Sequence, residues 1–343
     1  MRIGLPREIK DGERRVALTP AAVSSLANVV VEKGAGAGAG FGDDEYEAAG
    51  ATLGDPWQCE LVVKVKELQQ PELRRPRPGQ TVFGFQHFGP HPEVLDAALA
   101  SGATFVAYET VGEAGGRLPI LSPMSAIAGR LAVQAGAWCL QTQNGGSGVL
   151  LAGLDGVPPG KVAILGAGNV GGNALAVAHG LGARITVFAR SEKRFPELKK
   201  RYPNAVYATG IDIAVLVDAD LIIAGVLTPG QMSPKLIDRR ALAAMRPGSV
   251  LVDVGIDQGG IAETSRPTSH SRPTYVEEGV VHYCVPNLPA ACARTASLAL
   301  SNAVLPYVLA LADRKLDEDL ATGVHVRAGK VVHEKLARDT GRR

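Results

Sequence analysis

Three glycines, Gly166, Gly168 and Gly171, stand at G-x-G-x-x-G spacing directly after the apolar run Val162-Ala-Ile-Leu165 and ahead of a helical stretch. That spacing suits the binding of a dinucleotide. Gly166 permits a tight turn, Gly168 lets the backbone approach a pyrophosphate, and Gly171 lets the helix pack closely on the strand. The unpaired N–H groups at the helix start then meet the phosphates. A glycine turn with a merely structural role would give the same three residues. The second apolar run, Ala183–Arg190, at βαβ distance from the first favours the nucleotide reading.

Recognition of an adenosine 2′-hydroxyl usually takes an Asp or Glu at the end of that second strand. Here the position is Ala189, followed by Arg190 and Ser191, with Lys193 and Arg194 beyond. A guanidinium and a hydroxyl can bind a 2′-phosphate that a carboxylate would repel. The expected cofactor is therefore NADP(H) in preference to NAD(H), the alternative being a solvated basic loop.

These positions need a scaffold, and the chain can build one. With 343 residues it should form two domains. Its 46% hydrophobic and 20% charged residues allow a large core and argue against disorder. A net charge of +2 gives no reason to invoke nucleic acid or a membrane surface. Arg74-Arg75-Pro76-Arg77 and Lys199-Lys200-Arg201 read as solvated faces. Cys59, Cys139, Cys284 and Cys292 form no C-x-x-C pair, so neither a disulfide framework nor a metal site is expected. No signal-peptide pattern and no apolar run long enough to span a bilayer are read, which gives a cytoplasmic expectation.

Strands are expected at Arg2–Leu5, Asn28–Glu32, Leu61–Lys66, Thr81–Gln86 and Thr104–Tyr108, with helices at Pro20–Leu26, Asp43–Ala49 and Pro92–Ala100 between them. This alternation predicts an α/β domain with a parallel sheet. A long helix at about Ser125–Gln141 leads into the nucleotide domain. There, further strands at Ala205–Thr209, Ala219–Val226, Ser249–Gly255 and Val280–Val285 complete a doubly wound Rossmann sheet. A closing helix, about Ala296–Arg314, is expected to return to the first domain. The fold class is thus α/β in two domains with a cleft between them, 1–124 with 294–343 and 125–293.

Several longer stretches carry a resemblance. Met1-Arg-Ile-Gly-Leu-Pro-Arg-Glu-Ile-Lys10, Glu13-Arg-Arg-Val-Ala-Leu-Thr-Pro20, Lys64-Val-Lys-Glu67 and Ala107-Tyr-Glu-Thr-Val111 are similar to those of the alanine dehydrogenases. So are Pro123-Met-Ser125, Asp257-Gln-Gly-Gly260, Arg266-Pro-Thr268 and His282-Tyr-Cys-Val285. The resemblance implies reversible oxidative deamination of L-alanine to pyruvate and ammonia. It further implies that Arg15 holds the substrate carboxylate, Lys66 contacts the substrate, His87 is the general acid/base and Asp257 is catalytic. The chemistry wants these residue types: a guanidinium for a carboxylate, a cation near developing charge, and a group titrating near neutrality for adding ammonia and expelling water. His91, Asp253 and the rest read as structural. The expected cofactor contacts are Ser125, Gly166, Gly168, Asn169, Val170, Gly171, Ala189, Arg190, Ser191, Val226, Leu227 and Asn287. Family members often assemble as hexamers, so a homo-oligomer is expected.

The chain also departs from the family's pattern. Ala189 stands where an acidic residue is usual, Gln86 precedes the histidine, and Phe88-Gly-Pro90 follows it, changing the expected wall of the substrate pocket. Ala126 replaces an acidic residue, Val285-Pro-Asn-Leu-Pro289 replaces a Val-Ala-Asn-Met-Pro type loop, and the first domain is shorter around Leu26–Val29 and Gly54–Glu60. These departures keep two alternatives open: an NADPH-dependent imine reductase or reductive aminase of another 2-oxo acid, and a transhydrogenase-like nucleotide-binding coupling module. A binding or regulatory protein that keeps the cofactor without turnover is a further reading.

Overall fold

The computed structural model describes residues 1–112, 116–226 and 233–342. It divides into two compact units, Met1–Met124 with Cys292–Arg343, and Ser125–Ala291.

The first unit is built on an eight-stranded sheet in the order Lys330–Val331, Val324–Arg327, Thr104–Ala107, Thr81–Gly84, Leu61–Val63, Ile3–Leu5, Val29–Val31, Thr52–Leu53. The inner strands are short, near-continuous Val/Ile/Leu/Phe runs buried on both faces, the composition of parallel strands covered on each side by other elements. Pairing is parallel from Thr104–Ala107 to Thr52–Leu53. The parallel sheet carries an antiparallel extension at its other end. There Val324–Arg327 pairs antiparallel with Thr104–Ala107, and Lys330–Val331 turns back beside it.

The helix Ala293–Ala312 packs into this unit through Ala296, Leu300, Val304 and Val308. Ser297 and Ser301, also buried, accept hydrogen bonds from the backbone N–H groups of Val16 and Thr19, at 3.0 Å each. The reading that no apolar run could span a bilayer is corrected here. Leu288–Ala312 meets that length and composition, and 44% of its most apolar window is buried inside the protein. Its inner face is the reason for the apolar composition.

The second unit has a seven-stranded sheet in the order Thr274–Glu277, Val280–Tyr283, Val250–Asp253, Leu221–Ala224, Lys161–Leu165, Arg184–Ala189, Val206–Thr209. Leaving out the antiparallel edge strand Thr274–Glu277, the sequence positions run 3-2-1-4-5-6 from the Val206–Thr209 edge, the doubly wound order. The order reverses between Lys161–Leu165 and Leu221–Ala224, both buried. Ligands of such sheets bind outside the carboxyl ends of the strands at this switch point. Small residues bring helix and sheet together on one face. A Cβ at Gly136, in the helix Leu121–Cys139, would press on Leu221, and one at Gly129 would overlap the Val170 carbonyl.

Candidate functional site

At the switch point, Lys161–Leu165 runs into the turn Gly166–Gly168 and then the helix Asn169–Gly180. Each glycine has its own reason to be there. Gly166 has φ +104°, a conformation that L side chains rarely adopt. Gly171 lies so close to the turn that a Cβ would overlap the Gly166 carbonyl oxygen. Gly168 is exposed, and a Cβ there would meet open space. Packing therefore explains Gly166 and Gly171, whereas Gly168 borders an open approach to the helix N-terminus, as a pyrophosphate requires.

Around that approach stand Asn169 at the helix start, buried Val170, half-buried Val226 after the neighbouring strand, and half-buried Ala189 at the end of Arg184–Ala189. Arg190 and Ser191 follow on an exposed turn. Asn169 is tied to Asn173, whose Nδ2 donates to its backbone oxygen (2.9 Å) and to its Oδ1 (3.2 Å). Ser125 lies on the helix Leu121–Cys139, and Asn287 has a left-handed backbone, φ +57°. Leu227 lies outside the described residues.

Asp257 occupies an exposed position in the single turn Ile256–Gln258. Asp253 holds that turn from within, accepting from the backbone N–H groups of Gly255 (3.1 Å) and Ile261 (2.8 Å) and from the Ser265 hydroxyl (2.6 Å). Burial pushes the Asp253 carboxyl up, against the pull of these hydrogen bonds. Lys235 Nζ donates to the carbonyls of Gly259, Gly260 and Ala262 at 2.7 to 3.0 Å, so the loop carrying Asp257 is gripped through both its donors and its acceptors.

In the first unit the strands end sooner than their apolar runs suggest, at Val63 and Gly84, which leaves Lys66 and His87 in the loops that follow. The structure brings these two together: Lys66 Nζ is 3.5 Å from His87 Nδ1. Both also meet Glu67, whose Oε2 is 3.1 Å from His87 Nδ1 and 3.5 Å from Lys66 Nζ. Lys10 pairs with the other oxygen of the same carboxylate. Burial alone would raise the Glu67 carboxyl. The His87 hydrogen bond and the Lys66 and Lys10 charges outweigh it and hold the carboxyl far below the usual range.

The His87 backbone has φ +44°, uncommon for a residue with a side chain. Glu109 holds it there, accepting from the N–H groups of His87 (2.8 Å) and Gln86 (3.2 Å). The imidazole stacks on Phe85 at 5.6 Å between ring centres, and Lys66 Nζ stands 5.9 Å over the same ring.

Arg15 is buried, and its Nε and Nη2 bind the two oxygens of Glu13, at 2.7 and 2.5 Å. Its Nη1 lies 3.2 Å from Met124 Sδ. Beneath Lys66, the fully buried Lys64 ammonium lies 3.3 Å from Glu8 and 3.2 Å from Glu72 and donates to the Lys66 carbonyl at 2.9 Å.

Phe88 does not form a pocket wall, contrary to expectation. It is 2% exposed in the core cluster of Val62, Val82, Leu95 and Phe105, 5.9 Å from the Phe105 ring and 6.0 Å from His325. The left-handed turn at His87 sends the next side chain inward. Gln86 is buried too, its amide donating to the Gly84 carbonyl at 3.3 Å.

Sequence reasoning missed Glu67, Glu109, Glu13 and Lys64. For Lys64, Glu67 and Glu109 the available signal was their place just past the strands ending at Val63 and Ala107, where sites of α/β sheets gather; Glu13 had none.

Two family models match the chain: "Alanine dehydrogenase/PNT, N-terminal domain" over residues 4–128 and "Alanine dehydrogenase/PNT, C-terminal domain" over residues 132–334. An alanine dehydrogenase of Halomonas elongata is 49% identical over 347 residues, covering 97% of this chain and 94% of that protein. One of Bacillus subtilis is 44% identical over 360 residues, covering 99% and 95%. A solved L-alanine dehydrogenase superposes with a TM-score of 0.96 at 43% identity, covering 99% of both chains. The transhydrogenase from Sinorhizobium meliloti gives 0.83 at 26% identity, covering 98% of this chain and 100% of that one. Glycine turn, doubly wound sheet and full-length relatives agree: the chain belongs to the alanine dehydrogenase/PNT family and is a nicotinamide-nucleotide oxidoreductase acting on CH–NH2 groups.

Proposed function

We propose that this enzyme interconverts L-alanine with pyruvate and ammonia, in the cytoplasm and as a homo-oligomer, with NADP(H) preferred over NAD(H). The observation that carries the amino-acid reading is the contact of Lys66 with His87 over the buried Glu67 carboxylate. It sets a cation and an imidazole side by side at neighbouring strand ends. The burial of Phe88 removes the main reason to look beyond alanine, since that departure is absorbed by the core. The curated relatives named alanine dehydrogenase support the same substrate.

Arg15 receives the substrate carboxylate. Glu13 holds Nε and Nη2, which fixes the guanidinium plane and directs the Nη1 end to the ligand. Lys66 offsets the negative charge that develops on the substrate oxygen as ammonia adds to the 2-oxo acid. His87 takes a proton from the attacking ammonia and returns one to the departing water. Asp257, exposed in the turn Ile256–Gln258, orients ammonia or water. The cofactor, when bound, supplies or accepts the hydride at the α-carbon.

For the cofactor, open space at Gly168 and the helix start fit a pyrophosphate. The preference for NADP(H) rests on Arg190 and Ser191, both exposed just past Ala189, where a ribose-binding carboxylate would otherwise stand. The test is the rate of NADPH against NADH oxidation with ammonia and a panel of 2-oxo acids. NADPH-linked turnover of pyruvate is expected. NADH preference would overturn the cofactor reading, and turnover restricted to another 2-oxo acid, or independent of ammonia, would overturn the alanine reading.

A further inference from the structure

The least exposed carboxylate in contact with His87 has no assigned part in the reaction. Glu67 has a side chain only 2% exposed and meets His87 Nδ1 at 3.1 Å. Two groups approach Nδ1, the Glu67 carboxylate as an acceptor and the Lys66 ammonium as a donor. The Glu67 contact is an ordinary hydrogen-bond length, whereas Lys66 at 3.5 Å lies at the limit for one. The imidazole therefore carries a hydrogen on Nδ1 and donates it to Glu67.

We propose that Glu67 is the positioning residue of His87. It fixes the Nδ1–H tautomer, turns Nε2 outward as the atom that exchanges protons with substrate, and sets a negative charge beside the ring. The same carboxylate also orders the surrounding cations. Oε2 lies 3.5 Å from Lys66, and Lys10 closes on Oε1. His91 Nε2 stands 3.9 Å from Oε1, and its own Nδ1 is 3.3 Å from Glu93. The charged and titratable groups around His87 are thus Lys66, Lys10, His91 and Glu67 on the ring side, with Glu109 on the backbone side. Among the described residues, only Glu67 both touches the ring and carries negative charge. Buried between an acid/base histidine and two ammonium groups, it has its oxygens engaged by these neighbours and acts on the reaction through them, His87 at 3.1 Å being closer than Lys66 at 3.5 Å.

The inference rests on the proposed amino-acid dehydrogenase reading for its catalytic arm, and a second arm reads His87 without turnover. In the first, Glu67→Gln is expected to lower kcat about 10²-fold while leaving KM for the 2-oxo acid within about threefold, with Glu67→Asp recovering part of the loss. Adding Glu67→Gln to His87→Ala should cost little more than His87→Ala alone, as for two residues acting as one unit.

In the second arm, carbethoxylation of His87 in the full-length protein is followed against pH by peptide mass mapping. Its midpoint should move down by about one pH unit in Glu67→Gln, a tenfold loss of proton affinity, and by less in Glu67→Asp. An unchanged midpoint, or a loss confined to KM, would overturn the proposal. A wild-type protein inactive on every 2-oxo acid, yet showing the midpoint shift, would overturn the dehydrogenase reading and leave the Glu67 pairing standing. Should Glu67→Gln fail to fold, Glu67→Asp alone decides, because its shorter arm still withdraws the carboxylate from Nδ1.

Discussion

Glu109 holds the backbone N–H of His87 at 2.8 Å and so keeps that residue at φ +44°. The left-handed conformation costs on the order of 1–3 kcal/mol for a residue with a side chain, and a hydrogen bond to a charged acceptor returns about 1.5–3 kcal/mol. The two terms are close, so the geometry of the imidazole depends on the carboxylate. Glu109→Gln, with one acceptor oxygen and no charge, is expected to lower kcat/KM at least about tenfold with the fold retained by circular dichroism. Unchanged kinetics would show that the turn holds His87 without it.

Arg15→Lys keeps the charge and loses the fork. With Glu13 gripping two of its nitrogens, the guanidinium has a fixed plane that an ammonium cannot reproduce. KM for the 2-oxo acid should rise roughly 10- to 100-fold with a smaller change in kcat. A fall in kcat at constant KM would place Arg15 outside carboxylate binding.

Gly168→Ala and Gly171→Ala should separate ligand from scaffold. The first adds a methyl in open space, so the protein should fold and bind NADPH more weakly, read by quenching of cofactor fluorescence. The second drives a methyl into the Gly166 carbonyl and should yield little folded protein. Equal behaviour of the two variants would contradict the assigned roles.

His325 gives a pH dependence with a definite sign. Burial pushes its pKa down from 6.5 to about 4, with Glu109 opposing. Its Nε2 pairs with the Thr110 hydroxyl at 2.8 Å, and its buried Nδ1 has no hydrogen-bond partner among the described residues. The unfolded chain takes up a proton below pH 6.5 and the folded one does not until about pH 4. Stability is therefore full above the upper value and falls as pH drops between the two, by about 3 kcal/mol at most. Hydrogen exchange of Val324–Arg327 should show this loss between pH 7 and pH 5, and His325→Gln should flatten it. A slope unaffected by His325→Gln would assign the effect to other groups.

What could be read in the chain beforehand follows the range of the forces involved. The glycine turn was legible because its constraints are local: a left-handed residue, an open face and a close approach within a few positions. The central strands were legible as apolar runs. Val324-His-Val-Arg327 was not, because its partner, Thr104–Ala107, lies over two hundred residues away and nothing local marks the pairing. The edge strand Thr274–Glu277 escaped too, since its half-exposed residues show no alternation. Of the site, Lys66 and His87 could be placed by resemblance. Glu67 and Glu109 could not be told from solvated carboxylates, because only the left-handed turn at His87 and the early strand ends turn them to its ring and backbone.

The seryl hydroxyls of Ala293–Ala312 that receive the N–H groups of Val16 and Thr19 also set an order of assembly. The segment around Arg15 is synthesised well before the helix that fastens it. The whole nucleotide-binding unit is synthesised in between and can fold while the first unit still lacks three helices and two strands. A ribosome-bound chain stopped before residue 292 would therefore carry a complete glycine-turn domain while the first unit is still unfinished.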